Sequence, residues 1–250
     1  MNAPPLSDAP QGQPPASADA ELEQFLYVIT HDLRAAFRAF QTLPDWIRED
    51  MGPLPADRAA TVDGHIDMLV AQASRCDRML LDLRDYSRIG RCADSPAEHA
   101  LDDLIGRALV RAPLPSGFTL TVEGGGMLHG PANELVLLLC CLISNAVKHH
   151  DSDRGALSLR VAGGGPMRRC EFSDDGPGIP PRFHEAVFDM LRTLRPRDQC
   201  EGSGMGLAIA RRIVTRLGGA IAITDTGTTR GTTLSFTLPG RNPEVPPRMN

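Results

Sequence analysis

Asp174-Asp175-Gly176-Pro177-Gly178-Ile179-Pro180 follows directly on Arg169 to Ser173, a run that alternates as a β-strand does. A carboxylate leaving a strand into spaced glycines stands beside backbone that a flat ligand can approach closely. Such a carboxylate can accept from an exocyclic amine, as adenine offers. Taken alone, an acidic glycine turn is common and is more often a plain turn than a binding site.

Three further segments add to it. Gly202-Ser203-Gly204-Met205-Gly206-Leu207 opens a helix predicted over Gly204 to Leu217 and ended by Gly218-Gly219. Its glycines free several amides to point one way, and a helix N-terminus adds positive potential, which suits a polyphosphate. The spacing is neither that of a lysine-bearing P-loop nor that of a dinucleotide turn on a first strand. Asn145 and Lys148 stand three apart on a leucine-rich helix predicted over Pro131 to His150, hence on one face. An amide oxygen suits Mg²⁺, and an ammonium suits phosphate. Gly231-Thr232-Thr233 begins a strand, where hydroxyls and free amides can close over a phosphate.

The same half of the chain predicts a helix over Leu101 to Val110 and a strand over Phe118 to Val122. Strands over Ala156 to Val161 and Arg169 to Ser173 form a hairpin around Gly163-Gly164-Gly165, and Pro181 to Leu191 is predicted helical. Ala220 to Thr224 and Thr232 to Leu238 are closing strands. Helices and strands mix without strict alternation, so a layered α/β sandwich fits better than a doubly wound sheet.

Upstream the texture differs. Leu22, Leu26, Ile29, Leu33, Ala36, Phe40, Leu43 and Ile47 recur at alternating gaps of four and three, the seam of a bundled helix. Asp19 is its expected N-cap, and Pro44 is expected to kink it by removing a backbone donor. After a turn at Gly52-Pro53-Leu54-Pro55, a second seam runs through Val62, Ile66, Leu69, Ala73, Cys76, Leu80 and Leu83 and closes at Ser87. Two helices of ~30 residues, each ~45 Å long, make an antiparallel hairpin that cannot enclose its own seam. A symmetric dimer would complete four helices; the alternative is packing on the chain's own second domain. The class is therefore α+β.

Composition narrows the function. The 250 residues suit one or two domains, and 42 % hydrophobic with 23 % charged residues can build a core. With 26 Lys and Arg against 31 Asp and Glu, the net charge of −5 argues against a general nucleic-acid binder. Aromatics at 4 % leave little for base stacking. We expect no membrane helix, because no apolar run approaches the ~18–20 residues one needs. Met1-Asn2-Ala3-Pro4-Pro5-Leu6 has neither the basic flank nor the apolar core of a signal peptide. Six cysteines without CxxC spacing read as reduced thiols in a cytoplasmic protein. Residues 1–18 and 240–250 are Pro-rich and expected to be disordered.

The four glycine, asparagine and threonine segments, in this order and on these elements, resemble the N, G1, G2 and G3 boxes of sensor histidine kinases, whose ATP-binding domain has the Bergerat fold. Thr30-His31-Asp32-Leu33-Arg34 is similar to that family's H-box, and Asp82-Leu83-Arg84-Asp85-Tyr86-Ser87-Arg88 resembles its second helix. With Leu26 and Ile29 at a and d, His31 falls at f, the most outward position. The resemblance spans residues 21–239. It implies a dimerisation and phosphotransfer hairpin over 19–92 and a catalytic domain over 93–239. It implies His31 as phosphoacceptor and Asp32 as the base that keeps the imidazole nucleophilic. Asn145 would hold Mg²⁺, Lys148 would meet phosphate, and His149 stands where the family often has an aromatic ring. Asp174 would receive the adenine amine in a pocket shaped by Gly176 and Gly178. Gly202, Gly204 and Gly206 would bound a lid over the phosphates, and Thr232 and Thr233 match the last box. The partners implied are a second copy through the hairpin, a response-regulator receiver domain and a separate sensory input protein, with no nucleic acid and no membrane. Arg34 and Arg38 share the face of His31 and could meet the receiver's acidic pocket, though plain solvated arginines fit equally.

Departures from the family pattern matter too. Ala36 replaces the usual proline five residues after the histidine. Ala35 lacks the hydrogen-bonding group that positions water for phosphatase action, so weak or absent phosphatase activity is expected. Cys141 stands where another asparagine is frequent. A histidine phosphotransfer adaptor with a non-functional ATP domain is the alternative, and the intact Asn145, Asp174 and glycine turn argue against it. An ATPase clamp of the wider superfamily needs a water-activating glutamate near Asn145, and Glu134 lies about three turns away. A serine-kinase anti-sigma factor would lack the long hairpin.

Overall fold

The computed structural model describes residues 18–91, 94–163, 165–194, 202–224 and 230–240, and the side chains of 18–28, 30–32, 35, 36, 56 and 57 fall outside that description. The expected terminal arms at 1–18 and 240–250, save Ala18 and Gly240, lie outside the described residues, as does the side chain of the expected cap Asp19.

Helix α1 spans Ala18–Met51, continuing through Pro44, and α2 spans Ala56–Arg88; the predicted turn at 52–55 joins them. Their register is set by polar pairs across the hairpin: Arg34 to Asp77 at 2.9 Å, Gln41 to Ser74 at 3.3 Å and Arg48 to Asp67 at 2.7 Å. The first two pairs are part-buried and the third is exposed, and an exposed pair contributes only about 0–1 kcal/mol, so it fixes register more than it stabilises. The seams close only on one side. Ile66, Ala73 and Leu80 are buried, whereas Leu33, Phe40, Leu43, Ile47 and Leu69 remain exposed.

The second half begins with β1 (Ala97–Ala100), α3 (Leu101–Arg111), β2 (Phe118–Gly124), β3 (Met127–Gly130) and α4 (Ala132–His149). It continues with β4 (Gly155–Ala162), β5 (Met167–Asp174), α5 (Gly206–Arg216), β6 (Ile221–Ile223) and β7 (Thr232–Pro239). Five strands form one mixed sheet in the order β2-β4-β5-β7-β6, with β2 and β4 parallel and the other pairs antiparallel. Alternate residues of its strands, including Leu157, Leu159, Phe172, Leu234 and Phe236, pack with α3, α4 and α5 into one core. On β4 the intervening Arg160 reaches Glu123 and Glu171 on the neighbouring strands, so one face of the sheet is greasy and the other ionic.

Four expectations need correction. β1 and β3 pair as a small antiparallel sheet that the sequence did not announce, because each is four residues long and they meet across about 30 residues of chain. Pro181 to Leu191 forms two 3-10 turns, at Pro181–Phe183 and Ala186–Phe188, rather than one helix. Adjacent prolines at 180 and 181 disfavour α geometry at the entrance, and Leu191 takes φ 61° at the exit. α5 starts at Gly206, not Gly204, because Gly204 has φ 74°, a left-handed conformation that no α-helix contains. Finally, α4 is long and apolar enough to cross a membrane by length and composition, contrary to the expectation; half of that window is buried as the central core helix.

The two halves meet at the end of α2. Ser87 and Ile89 are buried there, and the Arg212 guanidinium of α5 sits 4.4 Å from the Tyr86 ring centroid. Gly90 N–H donates to Glu134 at 2.8 Å, and the same buried carboxylate takes Arg216 at 2.6 Å. Glu134, considered above as a misplaced catalytic glutamate, is thus a structural pin.

Candidate functional site

Strand β5 delivers Asp174 to the edge of a cleft of about 790 Å³ between α4, the 3-10 turns and the N-terminus of α5. The carboxylate accepts from Gly176 N–H at 3.0 Å and Thr232 N–H at 3.3 Å. Burial nevertheless holds its pKa above the ordinary carboxylate value, the two backbone donors and His150 pulling the other way. Gly178 has φ 77°, and a Cβ there would meet Gly231 O at 2.9 Å, so the turn can lie against the start of β7 only as glycine. His150 braces the turn from beneath. Its Nε2 lies 3.0 Å from Asp175 Oδ1, which also accepts Ala156 N–H at 2.8 Å, and its ring stands edge-on to Phe118.

α4 supplies Asn145, Lys148 and His149 to the same cleft, one helical face as the spacing required. Cys141, on that face too, has its thiol pKa pushed up by burial. The apolar wall comes from Ile179, Phe183, Val187 and Leu207. Opposite Asp174, Gly202, Ser203, Gly204 and Gly206 bring the N-terminus of α5 to the cleft. Gly204 is pressed against Arg192, whose carbonyl oxygen would lie 2.6 Å from any Cβ. Ser203 is buried, accepts Met205 N–H at 3.1 Å, and donates its hydroxyl to Asp82 of α2.

The structure therefore gathers Asn145, Lys148, His149, Asp174, Gly178, Gly202, Gly204, Gly206 and Thr232 around one cavity. Gly176 stands behind the carboxylate rather than on the lining. Thr233 faces the other way. Strand alternation turns its hydroxyl to Ser173, 2.9 Å away, so it lies outside the cleft lining. His31 and Asp32 lie on α1 by backbone, with their side chains outside the described residues. The hairpin register, carried along antiparallel helices, sets His31 level with residues 80–84 of α2.

Sequence reasoning missed Asp82, Arg111 and Arg192, which also line the cleft. Asp82 meets Ser203 across 121 residues, and no local pattern encodes such a contact. Burial raises the Asp82 pKa, with the Ser203 bond and the Lys148 and Arg78 charges opposing. Among the described residues no cluster of three His, Cys, Asp or Glu could hold a metal. A single amide at Asn145 still fits Mg²⁺, which keeps several waters and takes its remaining ligands from substrate phosphates.

Residues 130–242 match the family of histidine kinase-, DNA gyrase B- and HSP90-like ATPases. The methanogenesis regulatory histidine kinase FilI of Methanothrix harundinacea is 30 % identical over 227 residues, covering 88 % of this chain and 25 % of FilI. The signal transduction histidine-protein kinase/phosphatase MprB of Mycobacterium tuberculosis is 30 % identical over 228 residues, covering 86 % of this chain and 44 % of MprB. The structure of full-length ShkA in complex with AMPPNP matches with a TM-score of 0.61 over 90 % of this chain and 48 % of ShkA; at 20 % identity the likeness shows the fold. This chain spans between 25 and 55 % of the length of the curated relatives it matches. Residues 130–242 thus carry a histidine kinase-, DNA gyrase B- and HSP90-like ATPase domain, and the chain is similar to named histidine kinases along both hairpin and sandwich.

Proposed function

We propose that the chain is a cytoplasmic histidine autokinase of a two-component system, acting as a dimer through its hairpin. ATP enters the 790 Å³ cleft with its purine amine on Asp174 and its phosphates toward Lys148 and the α5 N-terminus. Mg²⁺, held by Asn145 and the phosphates, would neutralise charge on the transferring group. An imidazole nitrogen of His31 attacks the γ-phosphorus in line, forming a P–N bond as the bond to the ADP oxygen breaks. Asp32 takes the proton that the other ring nitrogen can then release. The protein's share is positioning and electrostatics, since phosphoryl transfer asks little covalent help of the enzyme. The phosphoryl group next moves from His31 to an aspartate of a response-regulator receiver, with input from a separate sensory protein. Ala35 leaves the hairpin poor in phosphatase action on that receiver.

One observation carries the reading. Asp82 lines the cleft and lies on α2 at the level that the hairpin register gives His31 on α1, which supports a donor site and an acceptor at one height. The exposed Leu33, Phe40, Leu43 and Ile47 supply the face a second hairpin would cover. The adaptor alternative is disfavoured by an open cleft with Asn145, Lys148 and Asp174 on its walls. Incubation with radiolabelled ATP tests the proposal. Acid-labile, base-stable label should form on wild type and be absent from His31→Ala and Asn145→Ala. Label that survives in His31→Ala, or that needs an added phosphodonor, refutes it.

A further inference from the structure

Asp82 is an acid of the hairpin inside a cleft built for anions. It belongs to α2, yet it lines the cavity and bonds Ser203 of the glycine turn. Ser203 is 6 % exposed, and its hydroxyl is already oriented, because Met205 N–H occupies its oxygen and leaves the proton to give away. The Lys148 ammonium acts on the same carboxylate from α4. A hydroxyl donor, an ammonium and the α5 N-terminus thus converge where one negatively charged group now sits.

We propose that the Asp82 carboxylate occupies the place of a nucleotide phosphate, so that polyphosphate binding and the docking of α2 onto the glycine turn exclude one another. The proposal rests on the nucleotide reading above. Carboxylate and phosphate oxygens are the same kind of acceptor, and Ser203 has one proton to donate. A polyphosphate brings more charge to Lys148 and the helix terminus than one carboxylate does, and so displaces it. Burial already works against the charged form of Asp82, which makes it an anion that leaves at low cost. Arg78 also acts on Asp82 and stands one turn back on the same helix, so the released carboxylate has a partner at i−4. The link to the shaft is direct, because Tyr86, Ser87 and Ile89 on the next turn are docked on the catalytic domain. Nucleotide entry would therefore loosen α2 at the level of His31 and free the histidine's half of the hairpin to move relative to the cleft.

Calorimetric titration of the full chain with ATP, ADP and adenosine separates the possibilities. If Asp82 fills the anion site about nine-tenths of the time, removing its charge lifts a roughly tenfold burden on phosphate-bearing ligands. Asp82→Asn and Asp82→Ala should each bind ATP and ADP about tenfold more tightly than wild type, with adenosine affinity unchanged. Amide exchange over residues 78–90 should rise in wild type when ATP is added. Unchanged or weaker ATP binding in both variants overturns the proposal, as does equal tightening of adenosine, which would point to a general opening of the cleft. Absence of binding by all three ligands in every variant would remove the nucleotide reading itself, and the competition with it.

Discussion

The hairpin and the sandwich are built to opposite standards. The sandwich closes its core within one chain: Leu104, Val136, Leu138, Leu142, Ile213 and Val214 have no accessible surface. Among its described residues the hairpin leaves much of its seam open. Phe40 keeps 47 % of its surface and Leu69 keeps 45 %, although both fall on the seam positions that should be innermost. Its register is held by exposed pairs such as Arg48 with Asp63 and Asp67, which discriminate between alignments without adding much stability. One region is thus a finished domain that fixes a cleft, and the other leaves an apolar face exposed. In a kinase the difference has a use. Under the proposed function the nucleotide would be held rigidly, whereas His31 would present itself first to the nucleotide and then to a receiver.

The contrast breaks first at the sandwich. Phe236 is 2 % exposed on the core face of β7, so Phe236→Ala leaves a cavity and should cost about 3–5 kcal/mol. The chain has a single tryptophan, Trp46, which is 62 % exposed on α1 and reports the hairpin alone. Circular dichroism should show the sandwich melting at lower urea in Phe236→Ala while the Trp46 transition moves much less. Coincident shifts by both probes would mean that the two regions form one cooperative unit.

Glu134 tests the junction between them. Its buried carboxylate holds Arg216 within the sandwich and Gly90 N–H at the end of α2. Removing one partner of a fully buried pair costs about 3–5 kcal/mol; with Arg216 a third exposed, we expect about 2 kcal/mol for Glu134→Ala. Glu134→Gln keeps an acceptor for Gly90 and should lose less. Denaturation followed at Trp46 and by circular dichroism should separate further in Glu134→Ala than in wild type.

Phe40 asks whether the unfinished face is covered in solution. In the single chain, Phe40→Ala should cost under about 1 kcal/mol, since only half of the side chain is buried. Covered by a second hairpin, the same change should cost about 2 kcal/mol or more, and the wild-type midpoint should rise with protein concentration. A concentration-independent midpoint would leave the hairpin without a partner.

The same contrast governs what could be read from the sequence. The hairpin's seam and its Gly52-Pro53-Leu54-Pro55 turn were legible because both are local patterns. So were Asn145 and Lys148, because helical spacing alone puts them on one face. Asp174 and the glycine turns were legible as individual segments, and only the fold could show that Gly176 backs the carboxylate while Thr233 turns away. Asp82 was hidden, because its neighbour Ser203 is brought to it by the docking of two halves. The short β1 and β3 were hidden because four-residue strands carry too few alternations to stand out. Residues 181–191 misled because their apolar side chains suit a helix by count, while the prolines at the entrance and the cleft wall they form demand tight turns.

The smallest effect concerns Asp174, where binding and stability pull apart. Its pKa in the folded protein stands above the unfolded value because burial outweighs the Gly176 and Thr232 donors. Over the window between those two values the folded chain keeps a proton that the unfolded chain has released. Stability contributed by this group therefore falls as pH rises through that window, and the deficit persists at neutral pH. Asp174→Asn keeps an oxygen for both backbone N–H groups and removes the buried charge. The variant should resist denaturant slightly better than wild type at pH 7, and the gap should close as the pH drops below the ordinary carboxylate value. Its adenine-nucleotide affinity should fall at least about tenfold, because the exocyclic amine loses a charged acceptor. A variant weakened in both stability and binding would mean that the carboxylate holds the turn together, and a variant weakened in neither would place the purine elsewhere in the cleft.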